Sequence, residues 1–366
     1  MSLRADAIVW ARPRVQNFSE SFARRFVAVL TALDGQEFDK ARFFSELVAS
    51  GVVGEPSIPV DKTKEEVYAK RWDSYLAPIR PFGLGFTVEE KRTQSPNPAR
   101  LIWRSSDIAR DFVAGGLSHR QFMALQLART QFPKITMPLK EPAKTQLIAG
   151  AAIQPLRLFV EVIDQLMAAG HAALLIEDEV HQLARCRTRS DVSFVVDEIT
   201  RHRAGHATPD WTSNVPADLD ILLNDLVATG YFARPLAAGA RALVAVHERW
   251  NEARDLTASI AWVDVTTNLG IERYYERLMA SPTDDERKIL NRPPQVTQLE
   301  PDEAAVLGDQ LTGRADIVAG LTLDSLVYVK GVARLLRVVE PADGASLQGG
   351  AWQATAKVVI SAFVPN

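Results

Sequence analysis

The sequence predicts a mainly α fold with small β elements: tandem winged helix-turn-helix units followed by a small α+β C-terminal portion. Three observations carry this. Apolar residues recur at three- and four-residue spacing through two long stretches, 19–76 and 153–228. Each stretch runs into short alternating segments, the order in which a winged helix leads into its wing. From residue 299 onward the chain changes character, first acidic, then β-branched and alternating. The expected units are 1–142, 143–294 and 295–366. A chain of 366 residues with 47% hydrophobic and 24% charged side chains is ordinary globular material, long enough for two or three cores. This composition excludes a disordered or collagen-like chain.

In the first unit, Ser19–Leu33 places Phe22, Phe26, Val29, Leu30 and Leu33 on one face, with Asn17 or Ser19 as cap. Asp39–Ser50 reads as a second helix, stopped by Gly51. After the polar stretch Glu55–Asp61, Lys64–Leu76 reads as a third. A hairpin follows: Gly85–Glu90, a turn at Gln94–Pro98, then Arg100–Trp103. The second unit opens with Ile153–Ala168, whose Pro155 is tolerated in a first turn. Glu177–Cys186 is a short helix with an acidic start, and Ser190–Arg203 opens on a Ser cap. Ala217–Ala228 runs through Thr229-Gly230-Tyr231-Phe232 toward a strand at Ala240–Val246. Glu248–Leu256 and Gly270–Ala280 are helical, followed by a Pro-rich break at Ser281–Pro294. In the last unit Leu299–Asp309 is acidic, Leu321–Val339 is apolar, and Ala351–Phe363 alternates like a strand.

The chemistry-bearing motifs are few. No apolar run approaches the ~20 residues that span a bilayer. The opening MSLRADAIVWARPR lacks the apolar region of a secretory leader. Cys186 is the single cysteine, which fits a reducing cytoplasm, and with six histidines it cannot build a thiolate-rich zinc site. Phosphate-binding loops, H-E-x-x-H and G-x-S-x-G are absent. His202 and His206 are four apart, but Gly205 and Ala207-Thr208-Pro209 end the helix there, so a histidine at a helix C-terminus is the plainer reading. Arg185 and Arg187 would lower the pKa of Cys186, although an inert side chain is the simpler expectation. A Mg²⁺-dependent nuclease needs an acidic residue followed by (Asp/Glu)-x-Lys on a neighbouring strand. Asp264 with Glu286-Arg287-Lys288 falls at a helix start. Asp316 with Tyr328-Val329-Lys330 has Tyr in the leading place. Asp316 and Lys330 are therefore only weak catalytic candidates, and no cofactor is expected unless that nuclease, with its Mg²⁺, exists.

Basic residues are more telling. The net charge is −3, but residues 1–142 carry a basic surplus and the rest an acidic one. Arg100, Trp103, Arg104, Arg110, His119, Arg120, Arg129 and Lys134 crowd one segment against only Asp107 and Asp111. Arg185, Arg187 and Arg189 precede the helix Ser190–Arg203, where arginines at a helix N-terminus suit phosphate and the first turn suits base edges. Ser190, Asp191 and Ser193 would be readers. Trp10, Arg12, Arg14 and Asn17 form a similar arm. The competing reading of each group is a solvated basic face.

The order of these features resembles the DNA-recognition portion of type IIS restriction endonucleases of the AlwI family, with FokI more distant in architecture. The resemblance runs over residues 10–290. It is carried by Val15-Gln16-Asn17, by Leu33-Asp34-Gly35, and by Ala69-Lys70-Arg71-Trp72-Asp73-Ser74-Tyr75-Leu76. Phe122–Pro133, Ile153-Gln154-Pro155-Leu156-Arg157-Leu158, Glu177-Asp178-Glu179 and Leu226–Phe232 complete it. In that family a PD-(D/E)xK nuclease follows, and here fewer than 90 residues remain after Pro282. The resemblance implies a double-stranded DNA-binding protein of a bacterial restriction or anti-phage system, with the nuclease supplied by a partner subunit. A restriction endonuclease with a degenerate site, and a winged-helix scaffold that binds protein, are the alternatives.

Overall fold

Helix starts follow the chemistry of their first residues. The computed structural model describes residues 18–79, 82–90, 100–131, 152–206, 219–234, 241–265, 267–293, 325–329 and 332–336. Helix α1 (Glu20–Ala32) buries Ala23, Phe26, Val27 and Leu30. Helix α2 (Lys40–Ala49) is capped by Asp39, whose carboxylate accepts from the Arg42 N–H at 2.7 Å. At the head of α3 (Lys64–Ile79) the Glu66 carboxylate accepts from the Thr63 N–H at 2.8 Å. Strands β1 (Gly85–Glu90) and β2 (Arg100–Ser105) pair antiparallel, with Phe86 opposite Arg104 and Val88 opposite Ile102. The far edge of β2 is also occupied. Trp103 N–H donates to the Gln36 carbonyl and Phe38 N–H to the Leu101 carbonyl, so β2 has backbone partners on both edges, and its Trp103 side chain is buried.

Two helices occupy the stretch that the sequence presents as a basic segment: α4 (Asp107–Val113) and α5 (His119–Arg129). A capping box of Ser118 and Gln121 starts α5, and every residue from Phe122 to Arg129 is buried. A helix enclosed on all sides has no polar face and so leaves no amphipathic period to read.

The second half begins with α6 (Pro155–Ala168), β3 (Leu174–Leu175), α7 (Glu177–Leu183), α8 (Asp191–Arg203) and α9 (Leu219–Ala228). Strands β4 (Phe232–Ala233) and β5 (Leu243–Ala245) join β3 in an antiparallel sheet of order β3-β5-β4. A short 3-10 turn leads into α10 (Trp250–Ser259), then α11 (Asn268–Met279) and α12 (Asp284–Leu290). The last of these corrects the expected Pro-rich break: a Thr283–Glu286 capping box turns Asp284–Leu290 into helix. Strands β6 (Ser325–Val329) and β7 (Val332–Leu336) form a separate hairpin. The chain is thus mainly helical with a few small sheets.

One connected hydrophobic core runs from Phe18 to Leu290, with α5 inside it. Gln126 of α5 donates through Nε2 to the carbonyls of Phe82 at 3.0 Å and Leu278 at 2.9 Å, joining the first and second halves. Gly83 sits at the same junction with φ +57°. A Cβ there would stand 2.5 Å from the Leu278 carbonyl oxygen, so both the dihedral and the space require glycine. Among the described residues no helix is long and apolar enough to cross a membrane.

Candidate nucleic-acid interface

The arginines divide into internal and outward-facing sets. In the basic segment from residue 100, Arg120 and Arg129 belong to the first, with His119 and Trp103 beside them, and Arg100, Arg104 and Arg110 to the second. Arg129 is buried and donates to the Glu286 carboxylate at 2.7 Å and to the Ala280 carbonyl at 2.7 Å. Arg120 reaches the buried carboxylate of Glu252 at 2.8 Å and the Leu290 carbonyl at 3.2 Å. Glu252 also accepts from the Tyr231 hydroxyl at 2.9 Å, and burial holds that phenol well above its usual range. His119 is buried against the Phe18 carbonyl, and desolvation lowers its pKa. Trp103 donates from Nε1 to the Leu30 carbonyl at 2.9 Å. Only the outer members stay near solvent. Arg100 and Arg104 share Glu90 at 2.9 and 3.5 Å, and Arg110 bonds Asp107 and the Ser105 carbonyl. The carboxylates that neutralise Arg120 and Arg129 lie more than a hundred positions downstream, so a local charge tally cannot see them.

The helix pair α7–α8 is built from its ends. Glu179 in the first turn of α7 is buried and accepts from the Ile176 N–H at 3.0 Å. Arg203 in the last turn of α8 reaches back to the same carboxylate at 2.7 and 2.8 Å. This bidentate pair ties the C-terminus of α8 to the N-terminus of α7 and fixes their relative placement. At the opposite end the Asp191 Oδ2 accepts from the N–H groups of Arg187 at 2.8 Å and Thr188 at 3.0 Å. Asp191 is thereby committed to shaping the turn rather than to reading a partner. The turn is also held to the start of α6 by the Ala152 N–H bond to the Arg187 carbonyl at 2.6 Å.

Along the arginine triplet exposure rises outward. Arg185 is buried, Arg187 is half-buried, and the Arg189 side chain is 68% exposed. Ser190 and Ser193 are exposed at the head of α8, with the Ser190 hydroxyl 2.7 Å from that of Thr188. Arg189 and Arg157 both bind Glu161, at 2.7 and 2.8 Å, so one carboxylate holds two guanidinium groups and leaves the trio with one surplus positive charge. Cys186 is buried under the turn. Burial, with Asp191 nearby, pushes its thiol well up, opposite to the effect expected from flanking arginines. His206 lies past the end of α8, beyond Gly205 with φ +81°, so it does not continue the helical face of His202.

Trp10, Arg12, Arg14, Asn17, Lys134, Asp316 and Lys330 lie outside the described residues. Among those described, no group of three or more His, Cys, Asp and Glu side chains could hold a metal. Sequence reasoning missed Glu161, which reads as one acidic position on an amphipathic helix. It also missed Trp262, which stands 39% exposed beside the turn with no local pattern to mark it.

Fold and site together define a mainly α protein that presents arginine and hydroxyl groups at the head of one helix. No family model matches the chain, and no curated protein matches it. A solved structure similar to it is the BpuJ1 endonuclease binding domain, crystallised with pyrene- and phenanthrene-modified DNA. The match has a TM-score of 0.48 and 13% identity over 79% of this chain and 97% of that one.

Proposed function

We propose that the chain binds double-stranded DNA, with the α7–turn–α8 pair as its docking element. The observation that carries the reading is the head of α8. A 13-residue helix presents its N-terminus, two exposed serines and the exposed guanidinium of Arg189 on a turn fixed by Asp191 and Ala152. The N–H groups of Asp191 and Val192 are already bonded to the Thr188 and Arg189 carbonyls, so phosphate would be held by the Arg189 guanidinium and the helix dipole, with the exposed serines of the first turn toward base edges. Arg187 and Arg189 set register on the backbone, and Ser190 and Ser193 read. The order α6, β3, α7, α8, α9, β4, β5 with sheet order β3-β5-β4 is that of a winged helix with one further helix, α9, between α8 and β4, and this supports a winged-helix reading of the unit. Arg100 and Arg104, outward-facing and shared by Glu90, are further candidate phosphate contacts. Arg120 and Arg185 are left out of it because one is engaged with Glu252 and the other is buried.

In the fuller form of the proposal, the chain is a recognition module of the AlwI restriction type, acting in the bacterial cytoplasm with cleavage supplied by a partner. Fluorescence anisotropy with a mixed-sequence duplex at several salt concentrations tests the core claim. A linear fall of log affinity with log salt supports it, and no binding at low salt overturns it.

A second reading has one observation in its favour. Phe86 and Val88 stand 42% and 38% exposed on one face of β1, as a protein-docking strand would carry them. Under that reading, replacing Arg187 and Arg189 leaves function intact.

A further inference from the structure

Between the start of α6, the turn before α8 and the loop after α10 lies a cleft of about 380 Å³. This is within the size range of pockets for small ligands. Its walls include Gln154, Arg157, Glu161, Thr188, Arg189, Ser190 and Trp262, and the Glu161 carboxylate already holds both arginines, leaving one surplus positive charge there. Two features of the cleft are unexplained by folding. Gln154 is 5% exposed, and its Nε2 has no hydrogen-bond partner, although a buried amide donor ordinarily finds one. Trp262, which lines the cleft, is 39% exposed although the backbone beside it is anchored. The Gln131 carboxamide bonds both the N–H and the carbonyl of Val263, at 2.9 and 2.8 Å. Arg277 binds the Ala261 carbonyl and, at 2.6 Å, Gln131. The loop therefore fixes the backbone on either side of an indole held partly in solvent.

These groups make three demands on an occupant: a flat apolar face, an acceptor on its edge, and negative charge at the arginine side. A nucleotide meets all three. We infer that the cleft holds one nucleotide unit, its base against Trp262, its base edge toward the Gln154 carboxamide, and its phosphate at Arg189. Base–aromatic stacking and edge hydrogen bonds are the means by which proteins hold a base taken out of the duplex. The same chemistry has two sources, an extruded base of bound DNA or a free nucleotide. The first rests on the DNA-binding reading and the second does not.

The test is photo-crosslinking of the full chain with duplexes carrying 5-iodo-2′-deoxyuridine at successive positions, and in parallel with free 5-iodo-2′-deoxyuridine monophosphate. The crosslinked peptide is identified by mass spectrometry. A crosslink on Trp262 from the duplex supports the inference with DNA as source, and one from the free nucleotide alone supports it with a free ligand. Loss of the crosslink in Trp262→Ala, and a reduction of about tenfold in Gln154→Leu, are expected, since one hydrogen bond is removed. Gln154→Leu is expected to keep the melting temperature, because the lost donor has no partner in the fold. Duplex binding in the anisotropy assay without a crosslink at Trp262 from either probe overturns the inference and leaves DNA binding standing. Absence of duplex binding with a free-nucleotide crosslink overturns the function and keeps the site.

Discussion

Glu161 gives the DNA-binding reading its sharpest consequence. It holds Arg157 at 2.8 Å and Arg189 at 2.7 Å, with side-chain exposures of 24% and 68% for the arginines and 19% for itself. The trio carries one surplus positive charge. Glu161→Gln raises that to two and frees both guanidinium groups toward the head of α8, and Arg189→Gln lowers it to zero. Each phosphate contact contributes about 0.9 to the slope of log affinity against log salt, so the two variants are expected to shift the slope by about that amount in opposite directions. At ~0.1 M salt this corresponds to roughly tenfold tighter binding for Glu161→Gln and tenfold weaker binding for Arg189→Gln. Because Arg189 is largely solvent-exposed, the stability cost of Arg189→Gln stays within about 1 kcal/mol. Anisotropy across a salt series measures the slopes, and urea unfolding checks the folds. A Glu161→Gln variant whose slope and affinity equal those of the parent refutes the placement of this cluster on DNA.

Removing Arg129 is expected to act on stability. Arg129→Leu leaves the buried Glu286 carboxylate and the Ala280 carbonyl without their main donor, a loss of about 3–5 kcal/mol in urea unfolding. A loss below about 1 kcal/mol contradicts the buried pair. Burial lowers the pKa of both His119 and His181 in the folded chain. The unfolded chain then binds more protons below the ordinary histidine pKa of about 6.5. Stability is complete above that pH and is expected to fall as pH drops through it toward the folded values; His119→Gln lessens the slope in acid-unfolding curves, and an unchanged slope contradicts the assignment. Tyr274 is pushed up to about 12 by burial, so its contribution is lost as pH rises from the ordinary phenol range through that value. Tyr274→Phe is expected to flatten alkaline unfolding followed by circular dichroism, and a curve of unchanged steepness would count against it. The Cys186 thiol, buried and held protonated, is expected to resist iodoacetamide until the chain unfolds. Rapid native labelling would show the turn to be open.

How far the residues alone reach is clearest where one face of an element meets solvent. α1, α2, α6 and α8 carry apolar stripes, so periodicity located them within a few residues, whereas of the expected caps Ser19 and Ser190 make no side-chain bond to their helices. The hairpin β1–β2 follows from alternation and turn residues. α5 escaped the same reasoning because it is enclosed on every side, and α12 was legible as a helix start at Asp284–Glu286 although its neighbouring prolines also read as a break. β3 is two residues long and depends wholly on its pairing with β5.

Charge divides the same way. The sequence by itself determined that arginines gather before α8 and that the local segment around α5 is basic. Whether an arginine faces water or a carboxylate is a question of distance in space, and the partners of Arg120 and Arg129 are brought in from Glu252 and Glu286 by folding. The cleft beside Trp262 likewise exists only because α6, the α7–α8 turn and the α10–α11 loop converge. Local periodicity reports which face of an element is apolar. The relation of one face to another is set by packing, and packing alone turned a run of basic residues into an internal brace at α5 and an exposed patch at α8.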